Sequence, residues 1–315
     1  MSDLRESLQE YLAIRQSLGF KLTTPARDLR NFVAFLEGES APYITTQLAL
    51  RWAQEATGAQ PVTRAARLNT VRRFAAWRNA TDLRTEIPPR GLIPHRYRRK
   101  HPYIYSDEEV SKIVQAARRL PSPKGLRAHT YSTLFGLLAV TGMRVSEAVN
   151  LDRDDVDLEA GILTVRWTKF GKTRLVPVHP SARDALRSYV LRRDQVVPVS
   201  LTGSFFVSER GTRVTEGTAR GTFAKVSRET GLRAPIKARR HGHGPRLHDM
   251  RHRFAVRTLI GWYRAGLDVE REIPKLSAYL GHVHVNDTYW YLEAVPELLA
   301  LATERLLDQH KDTGS

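Results

Sequence analysis

The chain has 315 residues, 41% of them hydrophobic, with 50 Lys+Arg against 33 Asp+Glu and a formal net charge of +17. That length allows two domains with real cores, and the charge points to a polyanionic partner. With no cysteine, disulfides, thiolate catalysis and cysteine-ligated metal sites are excluded. No apolar run is long enough to span a membrane, and the charged, amphipathic start has no signal-peptide core, so a cytoplasmic protein is expected.

Residues 1–88 read as a bundle of four short helices. Leu4, Leu8, Leu12 and Leu18 follow a helical pattern that ends at Gly19. Thr24-Pro25 starts a second helix, whose apolar face includes Leu29, Phe32, Val33 and Leu36. Thr45 or Thr46 caps a third, and Pro61 opens a fourth that runs through Leu68, Val71, Phe74 and Trp77. The fourth also carries Arg64, Arg67, Arg72, Arg73 and Arg78 around its circumference. Part of it is expected to face phosphate, the alternative for any one arginine being a solvated face. The stretch EIPPRGLIPHRYRRKHP then breaks the pattern, and residues 89–102 are read as a linker. Its charge run, Arg96, Arg98, Arg99 and Lys100, suits a strap along a nucleic-acid backbone.

The second domain is read as residues 103–315. Ser106 with Glu109 forms a capping-box signal. An apolar helix over 131–140 stops at Thr141-Gly142. Two strands, ILTVRW and RLVPV, flank the turn-like TKFGKT. A helix over about 181–192, a short strand FFVS at 205–208 and mostly helix from about 218 complete the order. The fold class is mainly α with a small antiparallel sheet. Near the end, VPELLALATERLL places Val295, Leu298, Leu299, Leu301 and Leu306 on an apolar stripe that must be buried somewhere.

Several polar residues in this domain suit phosphate chemistry. Arg144 follows Gly142 in TGMRVSEA, and Glu147, three residues on, shares its helix face and can orient the guanidinium. Lys169 occupies the turn between the strands, where an ammonium can protonate a departing sugar oxygen, with Lys172 and Arg174 as nearby competitors. Arg166 stands where a phosphate loop needs its first glycine, so no nucleotide-triphosphate site is expected. His248 and Arg251 lie three apart in LHDMRHRFA and can share one phosphate if a helix begins near Asp249. The adjacent His252 is expected to point elsewhere. The run His241, His243, His248, His252 matches no usual ligand spacing, so no metal is expected. His282 follows Gly281, past a helix that Pro274 opens and the glycine closes. Tyr291 sits on a short helix capped by Asn286 or Asp287, with Tyr289 as rival. Two residues apart means roughly 200° of rotation, so the two phenols are not interchangeable, and the residues alone do not choose between them. Arginine pairs with phosphate in bidentate geometry. A tyrosine among such groups can attack phosphorus and hold it covalently, cutting DNA without water or metal.

TGMRVSEAVNL, TKFGKTRLVPV, LHDMRHRFA and YLGH together resemble the boxes of tyrosine recombinases of the phage-integrase superfamily, including Xer-type and transposon-borne enzymes. The resemblance is specific over residues 103–315 and looser over 1–88, which is similar to a helical core-binding domain. The bundle begins almost at residue 1, so no arm-binding domain is expected ahead of it. The resemblance implies a C-shaped clamp on double-stranded DNA. Arg144, Lys169, His248, Arg251, His282 and Tyr291 would be catalytic and Glu147 supporting, with the interval after His282 selecting Tyr291 and the family pattern selecting Lys169. Backbone contacts are expected from Arg64, Arg67, Arg72, Arg73, Arg96, Arg98, Arg99, Lys100, Lys172 and Arg174. It further implies a 3′-phosphotyrosyl intermediate, a Holliday junction and no cofactor. Expected partners are a specific recombination site, copies of the same chain in a tetramer joined through the C-terminal tail, and room for a related recombinase; a bacterial, phage or mobile-element origin is expected. The competing readings are a catalytically silent DNA-binding accessory protein and a type IB topoisomerase-like nicking-closing enzyme. Departures from the pattern are the aromatic TYWY, the long GWYRAGLDVERE and the histidine-rich loop at 241–244.

Overall fold

The computed structural model describes residues 2–94, 101–166, 173–197, 202–234 and 244–312. The chain divides into two compact units, Met1–Lys100 and His101–Ser315, and each is built around its own core.

The first unit holds α1 (Ser2–Ser17), α2 (Thr23–Gly38), α3 (Thr46–Gln54) and α4 (Pro61–Arg78). Local chemistry sets the ends. Gly19 takes φ +84° after α1, a conformation cheap only for glycine. The Thr45 hydroxyl accepts the Leu48 N–H to cap α3, and Pro61 supplies the first residue of α4, where its missing donor costs nothing. Leu4, Leu8, Leu12, Leu29, Phe32, Leu36, Trp52, Leu68 and Phe74 form the core, with Phe32 edge-on to Trp52 at 5.1 Å between ring centroids. Leu18 is 66% exposed. The helix ends one residue before it, so it leaves the buried stripe.

The second unit begins with α5 (Asp107–Arg118), α6 (Leu126–Thr141) and α7 (Val145–Val149). Three strands follow, β1 (Val156–Asp157), β2 (Ile162–Val165) and β3 (Arg174–Pro177), then α8 (Pro180–Val196) and α9 (Glu216–Glu229). The chain closes with α10 (Asp249–Arg264), α11 (Val269–Leu280), α12 (Asn286–Ala294) and α13 (Pro296–Asp312). The Ser106–Glu109 capping box is formed in both directions. α6 buries most of its residues, among them Leu134, Phe135, Leu137 and Leu138, and α5, α8 and α10 pack against it. Phe135, Phe223 and Tyr105 meet edge to face beside it. The sheet is antiparallel in the order β1-β2-β3, with Leu163 opposite Val176 and both fully buried.

Four details depart from the sequence reading. The expected two-stranded ribbon has a third strand, the two-residue β1, too short to show an alternation. Residues 205–208 do not form a strand: Phe205, Phe206 and Val207 are all buried, and only isolated bridges, Asp152 to Ser204 and Val207 to Arg213, tie this segment. Pro274 lies inside α11 rather than at its start, because Asp268 opens the helix earlier by accepting the N–H groups of Glu270 and Arg271. α12 is capped by neither Asn286 nor Asp287; Asn286 is its first helical residue and Val285 precedes it without a side-chain cap.

α10–α13 share a second apolar cluster containing Ala255, Leu259, Ile273, Leu276, Leu280, Tyr291, Val295 and Leu298. Val295 and Leu298 therefore bury against the chain's own α10–α12, while Leu299 is 50% exposed.

Candidate active site

Gly142 ends α6 in the left-handed region, φ +61°, and donates its N–H to Leu138 O. The turn it makes places Arg144 at the N-cap of α7. Glu147, one turn into α7, accepts the Arg144 backbone N–H on Oε2 at 2.9 Å and Arg144 Nη1 on Oε1 at 2.7 Å. The same carboxylate accepts both Nη1 (3.0 Å) and Nη2 (2.7 Å) of Arg174 from β3. Its side chain is 6% exposed. Burial alone would push the Glu147 carboxyl up. The bonds and charges of Arg174 and Arg144 outweigh it and hold the group below the usual glutamate range.

Three arginines converge on the end of α11. Arg174 Nε donates to Tyr279 O at 2.8 Å, Arg251 Nη2 to Leu280 O at 2.7 Å and Arg144 Nη2 to Gly281 O at 2.9 Å. The last carbonyls of a helix lack intrahelical donors and sit at the negative end of its dipole, so a cation is the natural partner for each. Gly281 makes this end possible by turning the chain at φ +67°. Arg251 also donates to Gly142 O at 2.9 Å and is 2% exposed. Burial first, then the charge of Arg144, lowers its pKa to about 10, which leaves it charged at neutral pH.

His248 immediately precedes α10, so it and Arg251 flank the helix's first turn as the spacing implied. Burial, reinforced by Arg251 and Arg246, pushes the His248 imidazole down to about 4. At neutral pH it is an uncharged hydrogen-bonding group rather than a further cation. His282 Nδ1 lies 2.7 Å from Thr288 Oγ1, and its ring lies 6.4 Å from that of Tyr291. Tyr291 is 2% exposed, and Tyr289, on the far side of α12, is 38% exposed. The Tyr291 hydroxyl meets His252 Nδ1 at 3.1 Å. The structure thus brings together Arg144, Glu147, His248, Arg251, His282 and Tyr291.

Other expected residues fare differently. Lys169 and Lys172 lie outside the described residues, as do Arg96, Arg98, Arg99 and Lys100. Arg174 gives one N–H from each of its three guanidinium nitrogens to Glu147 and Tyr279, so most of its donor set is committed to the protein frame. On α4, Arg73 is exposed. Arg64 reaches Ala56 O, Arg72 donates to Asn69, and Arg67 lies 4.0 Å from the Trp52 ring centroid. Arg78 is buried in ion pairs with Asp3 and Asp82.

Sequence reasoning missed two participants. His252 was expected to point away from the site, yet it contacts the phenol. One residue beyond Arg251 is about 100° around the helix, and nothing local says that α12 packs there. Arg174 was read as a backbone contact because its carboxylate partner lies 27 residues away. Among the described residues no group of His, Cys, Asp or Glu is arranged to hold a metal, and no helix is long and apolar enough to cross a membrane.

The Phage integrase family model matches residues 104–297. The chain is 49% identical, over 99% of both sequences, to y4rB of Sinorhizobium fredii, a protein named for integrase/recombinase activity. It is 30% identical to the tyrosine recombinase XerD of Neisseria meningitidis serogroup B, over 74% of this chain and 73% of that one. Among solved structures, the Tn1549 transposon integrase in complex with transposon right end DNA superposes with a TM-score of 0.64 at 16% identity, covering 96% of this chain and 99% of that one. The arginine frame, the buried phenol and these likenesses agree: the chain belongs to the phage integrase family, the tyrosine recombinases.

Proposed function

We propose that this recombinase cuts and rejoins DNA at a specific site by transesterification, with Tyr291 as nucleophile. The observation that carries this reading is the convergence of Arg144 and Arg251 on one helix end, beside His248, His282 and Tyr291. A guanidinium has five N–H donors. In the bonds above Arg251 uses one from each Nη, and Arg144 likewise, which leaves donors for the non-bridging oxygens of a phosphodiester. Their charge is worth most in the transition state, where negative charge grows on those oxygens. His248 and His282 contribute neutral or shared hydrogen bonds to the same group.

The phenol oxygen attacks phosphorus and displaces the 5′ oxygen, leaving a 3′-phosphotyrosyl bond. Lys169 protonates the leaving oxygen. A 5′-hydroxyl from a partner duplex reverses the step through a Holliday junction, so bond energy is conserved and no cofactor is consumed. Tyr291 is buried, so a shift of α12 accompanies attack. In this reading residues 1–88 form the core-binding domain, 89–102 the basic strap and 103–315 the catalytic domain. Tetramer assembly on paired sites, with the exposed part of α13 reaching a neighbour, completes the cycle. That the transposon integrase was solved on transposon-end DNA supports a mobile-element substrate.

The test is capture of the adduct. Cells making the protein are lysed in hot detergent, protein-linked DNA is recovered, and its ends are sequenced. The wild type should yield one recurrent sequence joined through its 3′ phosphate, and Tyr291→Phe none. Adducts of equal abundance from Tyr291→Phe would overturn the assignment.

A further inference from the structure

A phenol is a poor nucleophile until its proton leaves. The two arginines of the site are donors and cannot take that proton, whereas a neutral imidazole such as His248, His252 or His282 can. His282 turns Nδ1 towards Thr288 at 2.7 Å. His252 instead presents Nδ1 to the Tyr291 hydroxyl at 3.1 Å, within the reach expected of a general base. Its ring is 6% exposed and is fixed edge-on against His248 at 4.9 Å and Trp290 at 5.6 Å between centroids. On its other edge, Nε2 lies 3.9 Å from Asp249 Oδ1. That is too long for a hydrogen bond but close enough for the carboxylate to favour a positive ring. Asp249 is itself 3% exposed on its side chain and held by Arg246, whose backbone N–H donates at 2.7 Å and Nη2 at 2.8 Å.

We propose that His252 is a further catalytic residue, accepting the Tyr291 proton on Nδ1 during cleavage while Asp249 stabilises the resulting imidazolium. This rests on the reading of Tyr291 as nucleophile. The step balances: the Tyr291 oxygen–phosphorus bond forms, the phosphorus–5′ oxygen bond breaks, the phenolic proton moves to His252, and Lys169 supplies the proton for the 5′ oxygen. Rejoining returns both protons. His252 and Arg251 are neighbours on α10, so the base and the guanidinium that grips the phosphate belong to one rigid element. The acceptor stays beside the phosphate however α12 shifts.

The experiment uses full-length protein and a nicked suicide duplex carrying the sequence recovered with the wild type, read as single-turnover adduct formation. His252→Asn keeps a hydrogen-bond acceptor on a short side chain but has no affinity for a proton. It should bind the duplex like wild type and cleave ~100-fold or more slowly, the usual weight of a general base. Replacing Tyr291 with a difluorotyrosine, whose phenol is more acidic, should recover most of that loss in His252→Asn and change the rate little when His252 is present. Wild-type cleavage by His252→Asn would reduce the contact to positioning and overturn the proposal. Faster cleavage would overturn it too, by showing that the contact is a brake, and so would a loss that fluorination does not repair. Adducts from Tyr291→Phe would remove the nucleophile assignment itself, a failure distinct from these.

Discussion

Glu147 is where the loss of one charge should be felt most. Its carboxylate accepts four N–H groups, two from Arg144 and two from Arg174, and Glu147→Gln keeps the size while removing the charge. Removing one partner of a buried ion pair costs about 3–5 kcal/mol. Side-chain exposures of 6% for Glu147 and 12% for Arg174 place that half of the network inside the protein. Arg144, at 30%, is partly hydrated, so the lower end, about 3 kcal/mol, is expected. For a unit of this size that lowers its melting transition by about 6–12 °C. Calorimetry on the full chain, following the transition of the larger unit, measures it. Because both arginines share one carboxylate, Glu147→Gln and Arg174→Met should be strongly non-additive.

The pH dependence gives an independent reading of the same group. The folded-state pKa of Glu147 is depressed, so in acid the unfolded chain binds the extra proton and stability rises with pH. The contribution is complete above the ordinary glutamate range and is lost as pH falls through the depressed value. Glu147→Gln should flatten that acid limb. A melting shift under about 2 °C, or roughly 1 kcal/mol or less, together with an unchanged acid limb would refute the buried-network argument.

Arg144→Ala and Arg251→Ala should each slow single-turnover cleavage by ~100-fold or more, with much smaller losses in gel-shift affinity; equal losses in both would mean positioning rather than transition-state binding. Gly142→Ala should destabilise by about 2–4 kcal/mol in chemical denaturation, since the left-handed backbone is strained for alanine and its Cβ would sit 2.6 Å from the Phe254 ring. His248 should stay neutral in histidine NMR spectra down to pH values near its pKa of about 4. Because that value is depressed, the unfolded state gains protons first, and His248→Gln should lessen the stability lost as pH falls from the ordinary histidine range towards 4.

The elements that announce themselves locally were legible. Thr45, Pro61, Ser106 with Glu109, and the glycines at 142 and 281 do in the structure what their chemistry implies. Each acts through neighbours a few residues away. The misreadings have the opposite character. Pro274 looks like a helix start until Asp268 is seen to cap earlier. The FFVS run has strand composition, but with Phe205, Phe206 and Val207 all buried, burial follows the core rather than a sheet. The partnerships of His252 with Tyr291, 39 residues away, and of Arg174 with Glu147, 27 residues away, are tertiary choices. A sequence pattern can show that an arginine is present; which carboxylate claims it depends on packing.

The arrangement also separates the arginines by duty, a distinction their common charge conceals. Arg174, Arg251 and Arg144 come from β3, α10 and the α6–α7 junction, and they meet on three successive carbonyls, Tyr279, Leu280 and Gly281. One helix end therefore aligns groups drawn from three distant stretches of chain. Arg174 spends every guanidinium nitrogen on that alignment and on Glu147, so it braces the frame. Arg144 and Arg251 each spend part of their donor set on it and keep the rest. In the proposed reaction, an arginine fixed in this way would lose little freedom on gripping a phosphate, and that prepaid ordering would let its charge act on the transition state rather than merely on binding. The burial that depresses Arg251, the neutrality of His248 and the shared carboxylate of Glu147 follow from the same packing. Three guanidinium groups can crowd one helix end because its carbonyls accept from all three, the Glu147 carboxylate is shared by Arg144 and Arg174, and the neighbouring His248 adds no charge.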